Sequence, residues 1–384
     1  MTTTRSTGRR GHNEGSIYQR KDGRWVATLN LGWEAGKRRR KSVYARTRAE
    51  VATKLTKLLN AADEGLPAAS DKLTLGRFIR EWLEQTAKPN IRLKTYYSYE
   101  QMVRTHIVPE LGKTRLAKLT PQDIQRFLNR KQAAGLSPRT CAYLLMILRR
   151  SLAYAERWRQ VPRNVARLID SPRVPQPEMK PYTESEARTL LAEVKGDRLE
   201  AIYTVAIGAG LRRGEALGLS WSDVNFEDGT LTVRHQLQRV GGKLVFSEPK
   251  TRTSLRTIAL PKVLQEALKA HRARQAQERL LAGPGWHDSD LVFTTRTGTP
   301  LEPQNVLRHF HSIRERAGLR HQRFHDLRHC AGSLLIAQGV NPRVVQEILG
   351  HATPTMTARY LHVVPELVRD AADRMDKALG GVAG

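Results

Sequence analysis

Cysteine is nearly absent from this chain: Cys141 and Cys330 are the only two in 384 residues. Two thiols cannot build a disulfide framework, and both sit in apolar stretches of helical spacing, where each reads as a small buried hydrophobe. Long hydrophobic runs are missing as well. No stretch approaches the roughly 20 apolar residues that cross a bilayer as a helix. The opening Met1-Thr-Thr-Thr-Arg5 has no apolar signal core. These absences predict a cytoplasmic protein with no membrane partner. Internal repeats and low-complexity segments are lacking too, which excludes repeat architectures. Negative charge is the other shortage: 37 Asp and Glu face 65 Lys and Arg, giving a formal net charge of +28 and a pI near 10.7. Such self-repulsion is relieved best by a polyanion, which points to DNA or RNA. An anionic membrane would gather the basic residues on one amphipathic helix, and they are not so gathered.

What is present is the makeup of a folded protein, with 40% hydrophobic and 27% charged residues over a length that suits two or three domains. The positive charge is spread along the chain. Residues 1–48 hold 13 Lys and Arg against 3 Asp and Glu, and residues 70–175 hold 21 against 8. Residues 16–44 read as three strands: 16–20, the turn Lys21-Asp22-Gly23, residues 24–31, a second turn at Gly36, and a third strand opened by Lys37-Arg38-Arg39-Arg40-Lys41. Thr47 caps a helix that runs to about residue 60. A basic run on a strand is by default a solvated edge. With Trp25, Trp33 and Tyr44 nearby, a basic ribbon that fits the DNA major groove is the better reading.

Residues 72–168 carry helical periodicity, first in Leu75, Phe78, Ile79, Trp82 and Leu83, then in Tyr96, Tyr99, Met102, Val103, His106 and Ile107. Thr120-Pro121-Gln-Asp123 and Ser137-Pro138 are helix starts, and the helix from Ser137 runs to about Trp158. The apolar stripes are core, and the basic outer faces suit a grip on DNA. Ser171-Pro-Arg-Val-Pro-Gln-Pro177, continuing to Pro181, reads as a linker. Thr183-Glu-Ser-Glu186 is a capping box opening a further domain. Helices are expected to Gly210, strands at 231–236, 243–247 and 255–260, and helix to about 379. The fold class is therefore multidomain and mainly α with small β-sheets. An N-terminal three-stranded sheet plus helix covers 1–66, a helical bundle 72–168, a linker 169–182, and a mixed, mostly α domain 183–384.

The chemistry concentrates in that last domain: Arg212-Arg-Gly-Glu215, Pro-Lys250-Thr, His325-Asp-Leu-Arg328-His329, Gly-His351 and Ala-Arg-Tyr360. Cleaving a phosphodiester without a metal needs charge neutralised on the non-bridging oxygens, an in-line nucleophile, and a proton for the departing oxygen. The planar fork of Arg suits the first task, Tyr the second, and Lys or His the third. His325 and Arg328 lie three apart, so a helix presents both to one phosphate. Gly210 and Gly214 leave room around Arg212, and Gly350 reads as a helix C-terminal turn that aims His351 inward. His325-Asp-Leu-Arg-His329 also mimics a helical zinc motif. It has Asp326 where Glu is required, and the cation of Arg328 between its histidines opposes a metal. No metal or other cofactor is expected. His309 and His311 fall on opposite sides of a helix and add little.

Taken in order, Arg212, Lys250, His325-x-x-Arg328, His351 and Tyr360 resemble the tyrosine recombinase family of phage-type integrases. The resemblance is strongest over residues 183–362, extends over 72–168, and is weaker over 1–66, which is similar to the small arm-site-binding domain of that family. It implies Arg212 and Arg328 as a phosphate clamp and Tyr360 as a nucleophile that leaves a 3′-phosphotyrosyl bond and a free 5′-hydroxyl. It further implies Lys250 as a mobile general acid, His325 and His351 as phosphate ligands assisting proton transfer, and Glu215 as a supporting acid. The role of Arg213 stays open. Double-stranded attachment-site DNA would be the partner, met along Arg24, Lys37, Arg38, Arg39, Arg40, Lys41, Lys94 and Arg139. A homotetramer on DNA, accessory excision or DNA-bending proteins, and a place at the bacterial nucleoid are implied with it. After Tyr360, Leu367, Val368, Ala371, Ala372, Met375 and Leu379 line one face of an expected helix, which in the family packs on a neighbouring protomer. Two alternatives share these residues: a type IB topoisomerase-like enzyme, and a catalytically silent DNA-binding regulator on the same scaffold.

Overall fold

The computed structural model describes residues 15–34, 37–63, 72–175, 180–249, 252–351, 353–358, 360 and 375. It divides into two compact units, Met1–Gln176 and Pro177–Gly384.

The first unit opens with the antiparallel strands β1 (Ser16–Gln19), β2 (Trp25–Glu34) and β3 (Lys37–Ala45), in that order across the sheet. Gly23, at φ +79, closes the first turn, and Asp22 accepts the Arg24 N–H there. Alternation along the strands sends Ala27, Leu29 and Ala45 onto Val51 and Leu55 of the helix Arg48–Asp63, whose start is capped by the Thr47 hydroxyl. Trp25 shares that inner face and packs against the same core, while Tyr18, Val26 and Tyr44 form a row on the opposite face. The expected grouping of Trp25 with Tyr44 on one DNA-reading face is therefore corrected by strand parity. The same parity splits the basic run: Arg40 pairs with Asn30 and Lys41 with Leu29, so these neighbours point to opposite faces.

The helical part of this unit has its own core, built from Phe78, Ile79, Trp82, Tyr99, Phe127, Leu144 and Leu148. Two helices within it carry a π-helical turn, Leu83–Ala87 and Val103–Ile107, and a proline stands two residues after each, at Pro89 and Pro109. A proline ring clashes with the carbonyl four residues back and offers no N–H. Widening the turn by one residue relieves both problems, and the Lys88 and Val108 N–H groups bond five residues back, to Leu83 and Val103. Thr120 and Asp123 form a capping box on Pro121–Ala133, and Ser137 caps Pro138–Arg157. Cys141 is buried in the latter. Ile169 still belongs to this core and Tyr182 to that of the second unit, so the stretch free of either core is shorter than 169–182.

In the second unit Thr183 and Glu186 form a reciprocal capping box on the helix Glu184–Glu193. Two small sheets follow. One holds β4 (Val224–Asn225), β5 (Thr230–Val233) and β8 (Arg256–Ala259); the other is the hairpin of β6 (Gln236–Val240) and β7 (Lys243–Ser247). The single strand expected at 231–236 is thus broken at Arg234-His235, because β5 pairs with β8 while β6 turns through Gly241 and Gly242, both at positive φ, to pair with β7. The uninterrupted helix expected after residue 260 is broken too. Between Lys262–Ala282 and Pro303–Arg316 the chain makes bridges, Ser220 to Leu291 and Thr294 to Pro300, around the buried Phe293. The helices Asp326–Ala337, Pro342–Leu349 and Pro354–Ala358 complete the described fold. Apart from Met375, the tail expected to form a helix after Tyr360 lies outside the described residues.

Candidate active site

Gly210 lets two parts of the second unit meet. It stands at φ +62, and a Cβ there would lie 2.3 Å from Leu349 Cδ2, so a side chain is excluded by both conformation and space. Two residues on, Arg212 occupies the N-cap position of the helix Arg213–Leu217. Its backbone N–H and its Nη1 both donate to Glu215, at 3.0 and 2.5 Å. Arg256, in β8, donates through Nη2 at 3.0 Å to Glu215 Oε2, the oxygen that also takes the Arg212 backbone N–H. Arg328, in the first turn of Asp326–Ala337, donates through Nη1 to the Gly210 carbonyl at 2.7 Å.

These three guanidiniums also converge on one helix end. Arg256 Nε donates to Ile348 O at 2.6 Å, Arg328 Nη2 to Leu349 O, and Arg212 Nη2 to Gly350 O at 3.3 Å. Three consecutive carbonyls at the C-terminus of Pro342–Leu349 are thus met by three cations. Helix C-termini leave such carbonyls unpaired and carry partial negative charge, so they seat arginines well. Gly350, at φ +60, ends the helix there, and a Cβ would lie 2.7 Å from Thr253 O.

The charges are poorly balanced. Glu215 is buried, and although burial pushes its carboxyl up, Arg256 and Arg212 outweigh it and hold the group below the usual carboxylate range. Arg328 is 2% exposed. Burial, and then Arg212, pull its guanidinium down to about 9, still charged at neutral pH. A further anion entering the site would be welcomed.

Histidines and a tyrosine line the same place. His325 is the exposed member, and His351 is buried with its Nδ1 2.9 Å from Thr357 Oγ1. Burial, then Arg328 and Arg212, hold His351 down to about 3, so it is neutral. Tyr360 is wholly buried. Its Oη lies 2.8 Å from His329 Nδ1, and its ring lies where a Cβ on Gly332 would come within 2.6 Å. The His351 and Tyr360 rings are 6.0 Å apart.

Of the residues singled out in the sequence, Arg212, Glu215, Arg328, His351 and Tyr360 come together, and His325 joins them at the start of the Asp326–Ala337 helix. Lys250 lies outside the described residues, between β7 and β8. Arg213 is half-buried, and burial lowers its guanidinium against the opposing pull of Glu302, which is itself ion-paired with Arg239. Sequence reasoning missed Arg256, His329 and Gly332 as members of the site. His329 had a signal, its place directly after Arg328; Arg256 had none, since its neighbours arrive from distant segments. Arg24 and Arg40 are exposed, as are Lys94 and Arg139, whereas Lys41 is half-buried; the side chains of Lys37, Arg38 and Arg39 lie outside the described residues. His309 bonds Tyr203 and Asp197, and His311 stacks on His321, which leaves both away from the site.

The profile of the phage integrase family matches residues 181–366, and that of the phage integrase N-terminal SAM-like domain matches residues 74–132. A tyrosine recombinase XerC-like protein of Caldanaerobacter subterraneus subsp. tengcongensis is 31% identical over 370 residues, spanning 91% of this chain and 95% of that protein. The fold is similar to that of a Tn1549 transposon integrase in complex with a circular intermediate DNA. There the TM-score is 0.67 at 22% identity, over 79% of this chain and 99% of the other. It is also similar to a lambda integrase tetramer bound to a Holliday junction, with a TM-score of 0.58 at 18% identity over 92% and 96% of the two chains.

Proposed function

Because this chain belongs to the tyrosine recombinases of the phage integrase family, we propose that its arginine cluster and Tyr360 carry out the strand exchange of a mobile element. The protein is a site-specific DNA recombinase, and DNA is its partner in a multimeric complex. The observation that carries the assignment of the site is the convergence of Arg212, Arg256 and Arg328 beside Tyr360 with one shared carboxylate, Glu215.

In this reading Arg212 and Arg328 exchange carbonyl partners for the non-bridging oxygens of the scissile phosphate. Tyr360 Oη attacks phosphorus, a 3′-phosphotyrosyl ester forms, and the 5′-oxygen leaves with a proton from Lys250. Attack by a 5′-hydroxyl from the partner strand reverses the step and completes exchange. His325 and His351 bind the phosphate and assist proton transfer. Arg256 acts through Glu215 as a positioning residue for Arg212. The charge that a divalent cation would bring is supplied by fixed guanidiniums, so catalysis proceeds without metal.

The remaining assignments extend the same reading. Residues 1–66 bind an arm-type site through Arg24 and the Lys37–Lys41 run, residues 72–168 grip the core site with Lys94 and Arg139, and residues 183–384 cut and rejoin. Four protomers assemble on two duplexes, with accessory proteins setting direction at the nucleoid.

A nicked suicide duplex taken from the repeat that borders the encoding element tests the nucleophile. Wild-type protein should give a covalent adduct on a denaturing gel in the presence of EDTA. Tyr360→Phe should bind the duplex equally well and give none. Adduct from that variant at the wild-type level would remove Tyr360 from its role. Cleavage and resealing without partner exchange would favour the topoisomerase reading.

A further inference from the structure

We propose that His329 is a further catalytic residue of this site, its Nδ1 taking the phenolic proton of Tyr360 as the phenol oxygen attacks phosphorus. The inference rests on Tyr360 being the nucleophile. Its basis is geometric. Nδ1 lies 2.8 Å from the reacting Oη, within the reach required of a general base. The ring is seated in the slot left by the missing side chain of Gly332, which aims the phenol at that contact. His351, the other imidazole beside the ring, already uses its Nδ1 on Thr357.

The step balances. The Tyr360 Oη–P bond forms, the P–O5′ bond breaks, and the phenolic proton moves to His329 Nδ1. The departing 5′-oxygen takes its proton from a separate acid. On rejoining, the imidazolium returns its proton to Oη as the O5′–P bond re-forms.

The groups facing His329 are His325, Asp326, Arg323 and Arg328 from its own helix and the turn before it, and Tyr360 and His351 from the C-terminal segment. Burial, then His325, hold the imidazole down to about 4, which leaves it neutral and able to accept a proton. A bound phosphodiester brings a negative charge that raises this value towards the working pH, where a base is most effective.

The nicked duplex of the adduct assay, made with either oxygen or sulfur at the bridging 5′ position, separates base from acid, since a thiolate leaves without a proton. His329→Ala removes the base. His329→Asn places an amide oxygen near the Nδ1 position and keeps the hydrogen bond without accepting the proton. Both variants should bind the duplex as wild type does and form adduct at least about 100-fold more slowly on both substrates. Lys250→Ala should recover on the sulfur substrate. The His329→Ala rate should climb about tenfold per pH unit from 7 to 9, as the phenol approaches its own pKa near 10, while wild type stays flat. Wild-type rates from His329→Asn, recovery of His329→Ala on sulfur, or a flat profile for that variant would each overturn the proposal. Adduct from Tyr360→Phe in the same assay would instead break the underlying assignment of the nucleophile.

Discussion

Glu215 accepts hydrogen bonds from Arg212 and Arg256 while 2% exposed, and the charge it carries matters more than the bonds it receives. Glu215→Gln keeps a similar shape but leaves the buried Arg256 and the half-buried Arg212 without their anion. Breaking a buried ion pair from one side costs about 3–5 kcal/mol, so chemical denaturation should show a loss of that order, and adduct formation should fall with it. His351 makes a second residue-level prediction. Its folded pKa is about 3, below an unfolded value near 6.5. The unfolded chain therefore binds the extra proton first, and stability falls as pH drops below about 6.5 until both states are protonated near 3. Melting should occur at a lower temperature at pH 5.5 than at 7.5, and His351→Gln should shrink that difference. That Arg212, Arg328 and Tyr360 come together was legible in the sequence, because their residue types and order suit one chemistry at a phosphate. Arg256 was not, because what makes it part of the site is the arrival of Glu215 and Ile348 from other segments.

Elements that are specified locally were legible in the same way. Thr120, Ser137 and Thr183 start helices because a hydroxyl accepts the N–H three residues on, and none of the three needs a partner from elsewhere. Thr183→Ala should cost about 1 kcal/mol, read as a lower midpoint in urea with an unchanged slope. The break between β5 and β6 was hidden, since it depends on which strand each segment meets, and residues 231–240 look continuous by composition. The π turns before Pro89 and Pro109 fall between these cases. The prolines are visible in the sequence. Whether a helix stops at a proline or widens around it is decided by core packing: Ala87 and Ile107 are both buried, so packing continues through each widened turn.

For the whole molecule the ruling quantity is charge, a formal +28 spread along the chain rather than gathered on one tail. The sheet and helix of the first ~65 residues have a core of their own around Ala27, Leu29 and Val51. Residues 1–66 should therefore bind a specific duplex alone, and log affinity should fall steeply with log salt as displaced counterions are released. Equal binding to every duplex in a gel shift would reduce this part to a nonspecific arm.

Tyr360, the proposed nucleophile, is held fully out of water with its hydroxyl engaged by a neutral imidazole, and so is chemically quiet while the protein is idle. Iodine and nitrating reagents would meet Tyr18, Tyr44 and Tyr97 first, since these lie at the surface. Stray water and small electrophiles are likewise kept from the oxygen proposed to attack phosphorus. Shelter of this kind lets a reactive residue persist unmodified through a long dormancy and still serve once, on the right phosphate.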